Sequence, residues 1–518
     1  MFIGKWRNMQ SSGGGESKLM EKATMTGDGP VYGRETSGLT GEAPRDNGLT
    51  ATAGLLAAAD RNDIPYVSWK NNHELDAYLE GDGDMDVVVA PEHRAAFMAL
   101  AFSDGWGELE NPLAQFPWVC HLFRVGAASR VYHLHVYFRL VTGESWLKEY
   151  VLPLEKFLLE NRVRADNSGV WVLDDQVQRY MFALRHLLKG GSISSRSLYR
   201  RELSSYRQEW AACGGPDGWD PDLGPIDLTP YVRGANLDGE WIGLPSIGAA
   251  MRLRWSLWPF LRVGIWTLPA RRITSFLARA LNKVFWKRKK VFPQGGLVIA
   301  ISGVDGSGKS TMLGAMQEFY SGFATVEGFQ LGRPQGSILE GVRRLVSRGR
   351  RGRLQDSGSS SSYVKTVPRA VAAAILAWIR LRTARAAVRA ARRGHLVLTD
   401  RWPSAELGKM DGPKISPDWS SLPWLVRKLG AFEEWTYSRM PSADVCVVLT
   451  VSIGSALARN KNRMKADKET DSEIRRRFEA NQQANPIARK VIRFDNDGEF
   501  NVMREELIKA IWDEVASH

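Results

Sequence analysis

A chain of 518 residues exceeds one ordinary domain, and with 44% hydrophobic and 25% charged residues it can build more than one core, which excludes disorder throughout. The net charge of +13 points to phosphate-rich partners (nucleotides, anionic membranes, nucleic acid) without choosing among them. Three cysteines, Cys120, Cys213 and Cys446, stand too far apart for a metal knuckle and read as buried thiols in a reducing compartment.

Residues 1–46 are rich in Gly, Ser, Thr and charge without a sustained period and read as a flexible tail. The opening MFIGKWRNMQSSGGG lacks the apolar core of a secretory signal, and no uncharged stretch is long enough to span a bilayer comfortably. The expectation is a cytoplasmic protein, with peripheral contact at the inner face of the membrane as an option.

An α/β domain is expected over 47–215. LTATAGLLAAADRND from Leu49 reads as a short helix, and Ile64 to Lys70 and Met85 to Ala90 read as strands. Pro91 opens a helix, and the aromatic and β-branched runs Trp118 to Val125 and Ser129 to Leu140 supply further strands. From Asp174 to Trp210 the pattern turns helical, with Asp175 as the expected cap of the first helix and Gly190-Gly191 as its end.

Asp84 and Asp86 in GDGDMDVVV lie two apart at the start of a strand, so their side chains share a face. Two carboxylates so placed can ligate magnesium for nucleotidyl transfer, or simply flank a turn before an edge strand. The region 50–210 distantly resembles the nucleotidyltransferase superfamily, whose strand-borne acidic pair would be Asp84 and Asp86. It departs from that pattern where SWKNN replaces the usual Gly-Ser and where VYHLHVYF brings His133, His135 and Tyr137 to the position of a third carboxylate. The histidines can complete a metal site with Asp84 and Asp86. They can equally be packed residues of a degenerate domain that only binds substrate.

Residues 216–294 begin with the Gly, Pro and Asp of a linker. They continue into a segment, Met251 to Lys290, that carries many Arg and Lys, no acid, and Trp255, Trp258, Trp266 and Trp286 among its apolar residues. Pro259 and Pro269 are expected to break it into shorter helices. A basic amphipathic segment of this kind suits a membrane surface, where long side chains snorkel, or an interdomain helical pair packed on protein.

The most specific text is GLVIAISGVDGSGKSTMLGAMQEFY. Leu297 to Ser302 reads as a buried strand, and Gly303 to Ser310 fits G-x-x-x-x-G-K-[ST] ahead of a helix, the pattern of a phosphate-binding loop. Gly303, Gly306 and Gly308 permit a backbone that aims amides at one phosphate group, with Asp305, Ser307 and Thr311 in the same loop. Lys309 is expected to reach the β- and γ-phosphates of ATP and Ser310 to ligate Mg2+.

His395 to Asp400 reads as a second buried strand. Asp400 at its end is placed to hold magnesium and Arg401 to grip a phosphate, the alternative being an ion pair at a strand end. After a third strand, Ala443 to Val451, Arg459 and Arg463 share a helical face. With Lys461, Lys465 and Lys468 they can form a mobile lid over the transferring phosphate, or a solvated charged helix laced by Glu469, Glu473 and Glu479.

From Gly295 onward the chain resembles the thymidylate kinase family of P-loop nucleoside-monophosphate kinases, on GVDGSGKST at 303–311, TDRW at 399–402 and the basic segment near 459–479. The resemblance implies a P-loop parallel sheet with flanking helices over 295–518, preceded by the smaller α/β nucleotidyltransferase-like domain. It also implies Asp305 as the acidic loop residue, Asp400 and Arg401 at magnesium and acceptor phosphate, Arg459 and Arg463 as lid arginines, and ATP as donor to a nucleoside monophosphate. Trp402-Pro403 and the insertion GVRRLVSRGRRGRLQDSGSSSSY depart from the pattern and leave the acceptor open, so a sugar or lipid-linked acceptor suits the basic apolar segment as well.

The pairing of the two resembled families also occurs in proteins that look like products of bacterial polysaccharide gene clusters. Two other readings therefore stand beside the kinase: a bifunctional kinase and nucleotidyltransferase-like enzyme of envelope polysaccharide synthesis, and a nucleotide-regulated interaction or nucleic-acid-binding protein. Nucleic acid is disfavoured as a partner because the basic runs lack aromatic interleaving on an evident strand platform.

Overall fold

The computed structural model describes residues 50–144, 147–190, 193–237, 242–286, 288–304, 306–331, 361–409, 411–415, 423–461, 475 and 485–518. The tail expected over 1–46, the acidic loop residue Asp305, and Arg463 with most of the expected lid lie outside the described residues.

Two sheets organise the molecule. The strands of the first half are β1 (Tyr66–Ser68), β2 (Asp84–Val89), β3 (Gly107–Glu108), β4 (Val119–Val125), β5 (Val131–Tyr137), β6 (Leu140–Thr142), β7 (Tyr150–Leu152), β8 (Arg162–Arg164) and β9 (Trp171–Leu173). Seven of them form one sheet in the order β3-β4-β5-β2-β1-β9-β8, with β2 parallel to β5 and β4 antiparallel to it. The alternating pattern of β2 buries both faces: Met85, Val87 and Val89 enter one core with Leu134 and Val136 of β5, and Val88 enters another with Tyr137.

Local signals explain the helices of this half. Thr50 caps Ala51–Arg61 by accepting from the Ala53 amide. The helix Asp175–Gly190 is capped by Asp174, whose Oδ1 accepts from the Val177 amide at 3.0 Å. The cap thus falls one residue before the expected Asp175, which already lies in the first helical turn.

The same helix carries His186, 1% exposed, whose ring bonds to the Tyr199 hydroxyl and to the Ala235 carbonyl. Burial pushes its pKa from 6.5 down to about 4. Between those values the unfolded chain binds a proton that the folded one refuses, so this contribution to stability is complete above pH 6.5 and is lost as pH falls through 4. Wild type should lose up to about 3 kcal/mol more than His186→Gln over that interval. Identical pH slopes of the unfolding midpoint in the two proteins would contradict this.

Residues 228–237 and 242–257 pack into the core of the first half through Leu228, Leu237, Ile242, Ala249, Leu253 and Leu257. Arg254 on the helix Ile247–Ser256 is buried with Glu144 and Glu149, at 3.2 and 3.0 Å. Past this point the basic segment turns outward. Pro259 lies in a single turn, Trp258–Phe260, and Pro269 opens the helix Leu268–Leu281, which has no buried residue. Among the described residues no helix is long and apolar enough to cross a membrane.

The second half holds β10 (Val298–Gly303), β11 (Val326–Gln330), β12 (Leu396–Asp400), β13 (Ala443–Thr450) and β14 (Ala488–Asp495). They form a fully parallel sheet in the order β11-β12-β10-β13-β14. Ile299 and Ile301 of β10 face the helices Lys309–Tyr320 and Phe500–Ala516, while Val298 and Ala300 face the long helix Ser361–Ala391. Helices on both faces are what parallel strands of this apolar kind require.

The two halves share a core. Leu109, Phe123, Val125 and Val131 of the first join Phe323, Ile511 and Trp512 of the second, and the rings of Phe123 and Phe323 stack at 5.3 Å. Glu110 and Val291 exchange backbone hydrogen bonds, and the Trp512 indole donates to the Gly105 carbonyl.

Candidate functional site

The loop leaving β10 sits where the strand order of the parallel sheet reverses, with β12 on one side and β13 on the other, the place at the carboxyl ends of the strands where open α/β sheets take their ligands. Gly303, Gly306 and Gly308 all have positive φ, of 146°, 91° and 87°. At Gly303 a Cβ would stand 2.5 Å from the Leu449 carbonyl oxygen, and at Gly308 it would stand 2.6 Å from Asn496 Nδ2. Neither position has room for a side chain, and both need a backbone that L-residues avoid. Gly306 packs against Ala456 of the helix Ile453–Lys461.

Lys309 begins the helix Lys309–Tyr320 and is 7% exposed, its ammonium donating to the Val304 carbonyl at 2.6 Å. Ser310 and Thr311, in the same first turn, are exposed. The Ser307 carbonyl accepts from Asn496 Nδ2 at 2.7 Å, and the Asn496 carbonyl accepts from the Arg459 guanidinium at 2.8 Å. Arg459 is thus brought to the loop from a helix 150 residues away in sequence, with Asn496 as the bridge.

Asp400 ends β12 opposite Ile301 of β10, at the same sheet edge as the loop. Arg401 follows with a φ of 69°, its amide bonded to the Ile301 carbonyl. Its guanidinium lies 3.4 Å from Asp411, a carboxylate also held by the buried Arg380 at 2.6 Å. The ion pair at a strand end that the sequence allowed therefore exists for Arg401, with Asp411 as the acid.

The chemistry of this edge suits a polyphosphate with a hard cation. Ser307 Oγ and Asp400 Oδ1 are buried and have no hydrogen-bond partner among the described residues, whereas buried oxygens are ordinarily satisfied. Exposed Ser310 and the Asp400 carboxylate offer the oxygen ligands that magnesium takes. The loop amides, the helix amino terminus and Lys309 offer what phosphate takes.

Asp84 and Asp86 occupy a different place, on one face of the first sheet. Parallel pairing sets Asp84 beside His133 and Asp86 beside His135, with side-chain separations of 2.5 and 3.2 Å. Lys70 adds an ammonium 3.0 Å from Asp86. Burial opposes ionisation of Asp86, but Lys70 and His135 outweigh it and hold the carboxyl below the usual range. Burial also drives His133 down to about 3, which keeps the ring neutral.

Around the two carboxylates stand His133, His135, the Lys70 ammonium and the Tyr137 hydroxyl, and Lys70 occupies the place of a cation bound to Asp86, so the pair does not fit the expected magnesium centre. His121 on β4, absent from the sequence reading, completes the group: it lies opposite His135 and its Nδ1 is 3.3 Å from His133 Nε2. Its one sequence signal is a polar residue in the apolar run VCHLFRV.

Fold and loop together define an α/β protein with a glycine-bounded turn at the carboxyl edge of a parallel sheet. No protein-family model matches the chain, and no curated protein matches it. A solved structure, an unliganded sugar kinase from Janibacter sp. HTCC2649, aligns with 43% of this chain and 96% of its own at 15% identity and a TM-score of 0.22. That similarity is too low to bear on either fold or activity.

Proposed function

We propose that the protein transfers the γ-phosphoryl group of ATP to an acceptor bound beside Asp400. The observation behind this reading is the meeting of the glycine loop, Lys309, the unsatisfied Asp400 oxygen and Arg459 at one sheet edge. In it the amides of Gly303 to Gly308 and the following helix bind the phosphates, and Lys309 leaves the Val304 carbonyl to reach the β- and γ-phosphates. Ser310 and Asp400 would hold magnesium, which would supply charge screening to the phosphates. Arg401 and Arg459, with Arg463 beyond the described residues, neutralise charge on the transferring group while an acceptor oxygen displaces ADP.

A nucleoside monophosphate is the acceptor that the thymidylate kinase resemblance implies. A lipid-linked acceptor is favoured by a separate observation. The helix Leu268–Leu281 and its flanks expose Trp266, Ile273, Phe276, Leu277 and Phe285 among basic side chains with no acid nearby in sequence, the composition of a helix that lies in an anionic lipid surface.

One screen separates these readings. ATP is offered with nucleoside monophosphates, sugars and polyprenyl-linked acceptors, with and without anionic vesicles, and products are read by mass. A phosphorylated nucleotide formed without vesicles supports the first acceptor. Transfer to the polyprenyl substrate that rises with vesicles supports the second. ATP consumption with no phosphorylated acceptor of any class would overturn phosphoryl transfer as the function.

A further inference from the structure

Away from the phosphate-binding edge, the first sheet gathers His121, His133 and His135 so that one ring nitrogen from each lies within 4.8 Å of the others. We propose that these three imidazoles are the ligands of a divalent transition ion such as zinc, with Asp84 and Asp86 as the carboxylates that orient His133 and His135 through Nδ1.

The hydrogen bonds determine which nitrogens are available. An ionised carboxylate only accepts, so the contact of His133 Nδ1 with Asp84 Oδ1 at 2.5 Å places the proton on Nδ1 and leaves the Nε2 lone pair directed at His121. His135 repeats the arrangement: Nδ1 faces Asp86 Oδ1 at 3.2 Å, and Nε2 is buried with no hydrogen-bond partner, the second Asp84 oxygen standing 3.8 Å away. Two imidazoles are thus each fixed by a carboxylate in the tautomer that presents Nε2, the outer-shell arrangement of metal-bound histidine.

The spacing agrees. Two nitrogens bound at about 2.0–2.1 Å to a tetrahedral ion stand about 3.3–3.4 Å apart, and His121 Nδ1 lies 3.3 Å from His133 Nε2. Backbone pairing holds the cluster: β5 sits between β2 and β4, so Asp84 is locked beside His133 and His121 beside His135. Packing holds it as well, since the His133 ring stacks on Phe123 at 3.9 Å.

Three nitrogen ligands leave one tetrahedral position for a water or substrate atom, and imidazole favours zinc, cobalt or nickel over magnesium. The reading differs from the acidic pair expected from sequence because histidines supply the donor atoms and the acids only orient them. It is independent of the kinase reading.

The test uses the full chain freed of metal by chelation and titrated with cobalt(II), then with zinc. One cobalt per chain with the intense visible bands of a tetrahedral ion, displaced by zinc and not by excess magnesium, is expected. His121→Ala and His135→Ala should each remove these bands, and Asp84→Asn should weaken binding about 10- to 100-fold. Lys309→Ala should leave the titration unchanged, which separates this site from the phosphate-binding loop.

Unaltered cobalt spectra in a folded His121→Ala, His135→Ala double variant would overturn the proposal. Should the histidine variants fail to fold, the wild type decides: the absence of a one-to-one tetrahedral complex overturns it equally.

Discussion

Replacing Lys309 by alanine should lower ATP-dependent phosphoryl transfer by at least about 10²- to 10³-fold, the usual loss when one preorganised charge-stabilising donor is removed from a reacting centre. The chain should remain folded. Alanine is the best helix former at the first position of Lys309–Tyr320, and the losses to the fold include the charged hydrogen bond to the Val304 carbonyl, about 1.5–3 kcal/mol. The glycines, Ser307, Asn496 and the helix itself are untouched, so binding of ATP should weaken less than turnover. Product formation by mass and a thermal melt check the two halves of the expectation. Turnover within a few-fold of wild type in a folded Lys309→Ala protein would remove the loop from the chemistry.

The second large effect concerns stability. Arg254→Met should destabilise the first half by about 3–5 kcal/mol, because Glu144 and Glu149 are 2% and 0% exposed and would be left charged in a dry site. Arg254 also donates to the Leu188 carbonyl, which the substitution leaves without that donor. Arg272 reaches the same acids at 3.1 and 3.7 Å but is 40% exposed, so Arg272→Met should cost far less. The two losses should not add, since both arginines serve one pair of acids. Denaturant midpoints of the two single variants and the double variant check this, and near-equal small shifts for the two single variants would refute it. Because Arg272 lies on the helix Leu268–Leu281, the same acids also tether the exposed basic surface to the first core.

Much of the candidate phosphate site was legible in the sequence because its information is local. A buried strand, three glycines at fixed offsets, a lysine and a helix lie within about twenty consecutive residues, and backbone conformation at each is set by neighbours in the chain. The shared face of Asp84 and Asp86 was legible for the same reason, being the period of two of any strand. Asn496 was not, although it follows the last strand of the parallel sheet. Nothing in RFDND says that this strand lies next to β13, or that an amide at its end reaches the Ser307 carbonyl. Asp411 as the acid beside Arg401 was hidden likewise, because the bend that brings it there follows a residue of positive φ rather than a regular period.

By itself, then, the sequence determined the longer apolar strands and their faces, several helices and the glycine-bounded loop, all of which arise from interactions a few residues apart. Only the tertiary structure decided that His121 meets His133 and His135, that Arg254 meets Glu144 and Glu149, and that the two halves share a core through Phe123 and Phe323. The physical reason is strand order and register. A strand's side-chain period is a property of its own backbone, whereas its neighbour is chosen by the burial of all the apolar faces together, and no short stretch of chain contains that choice.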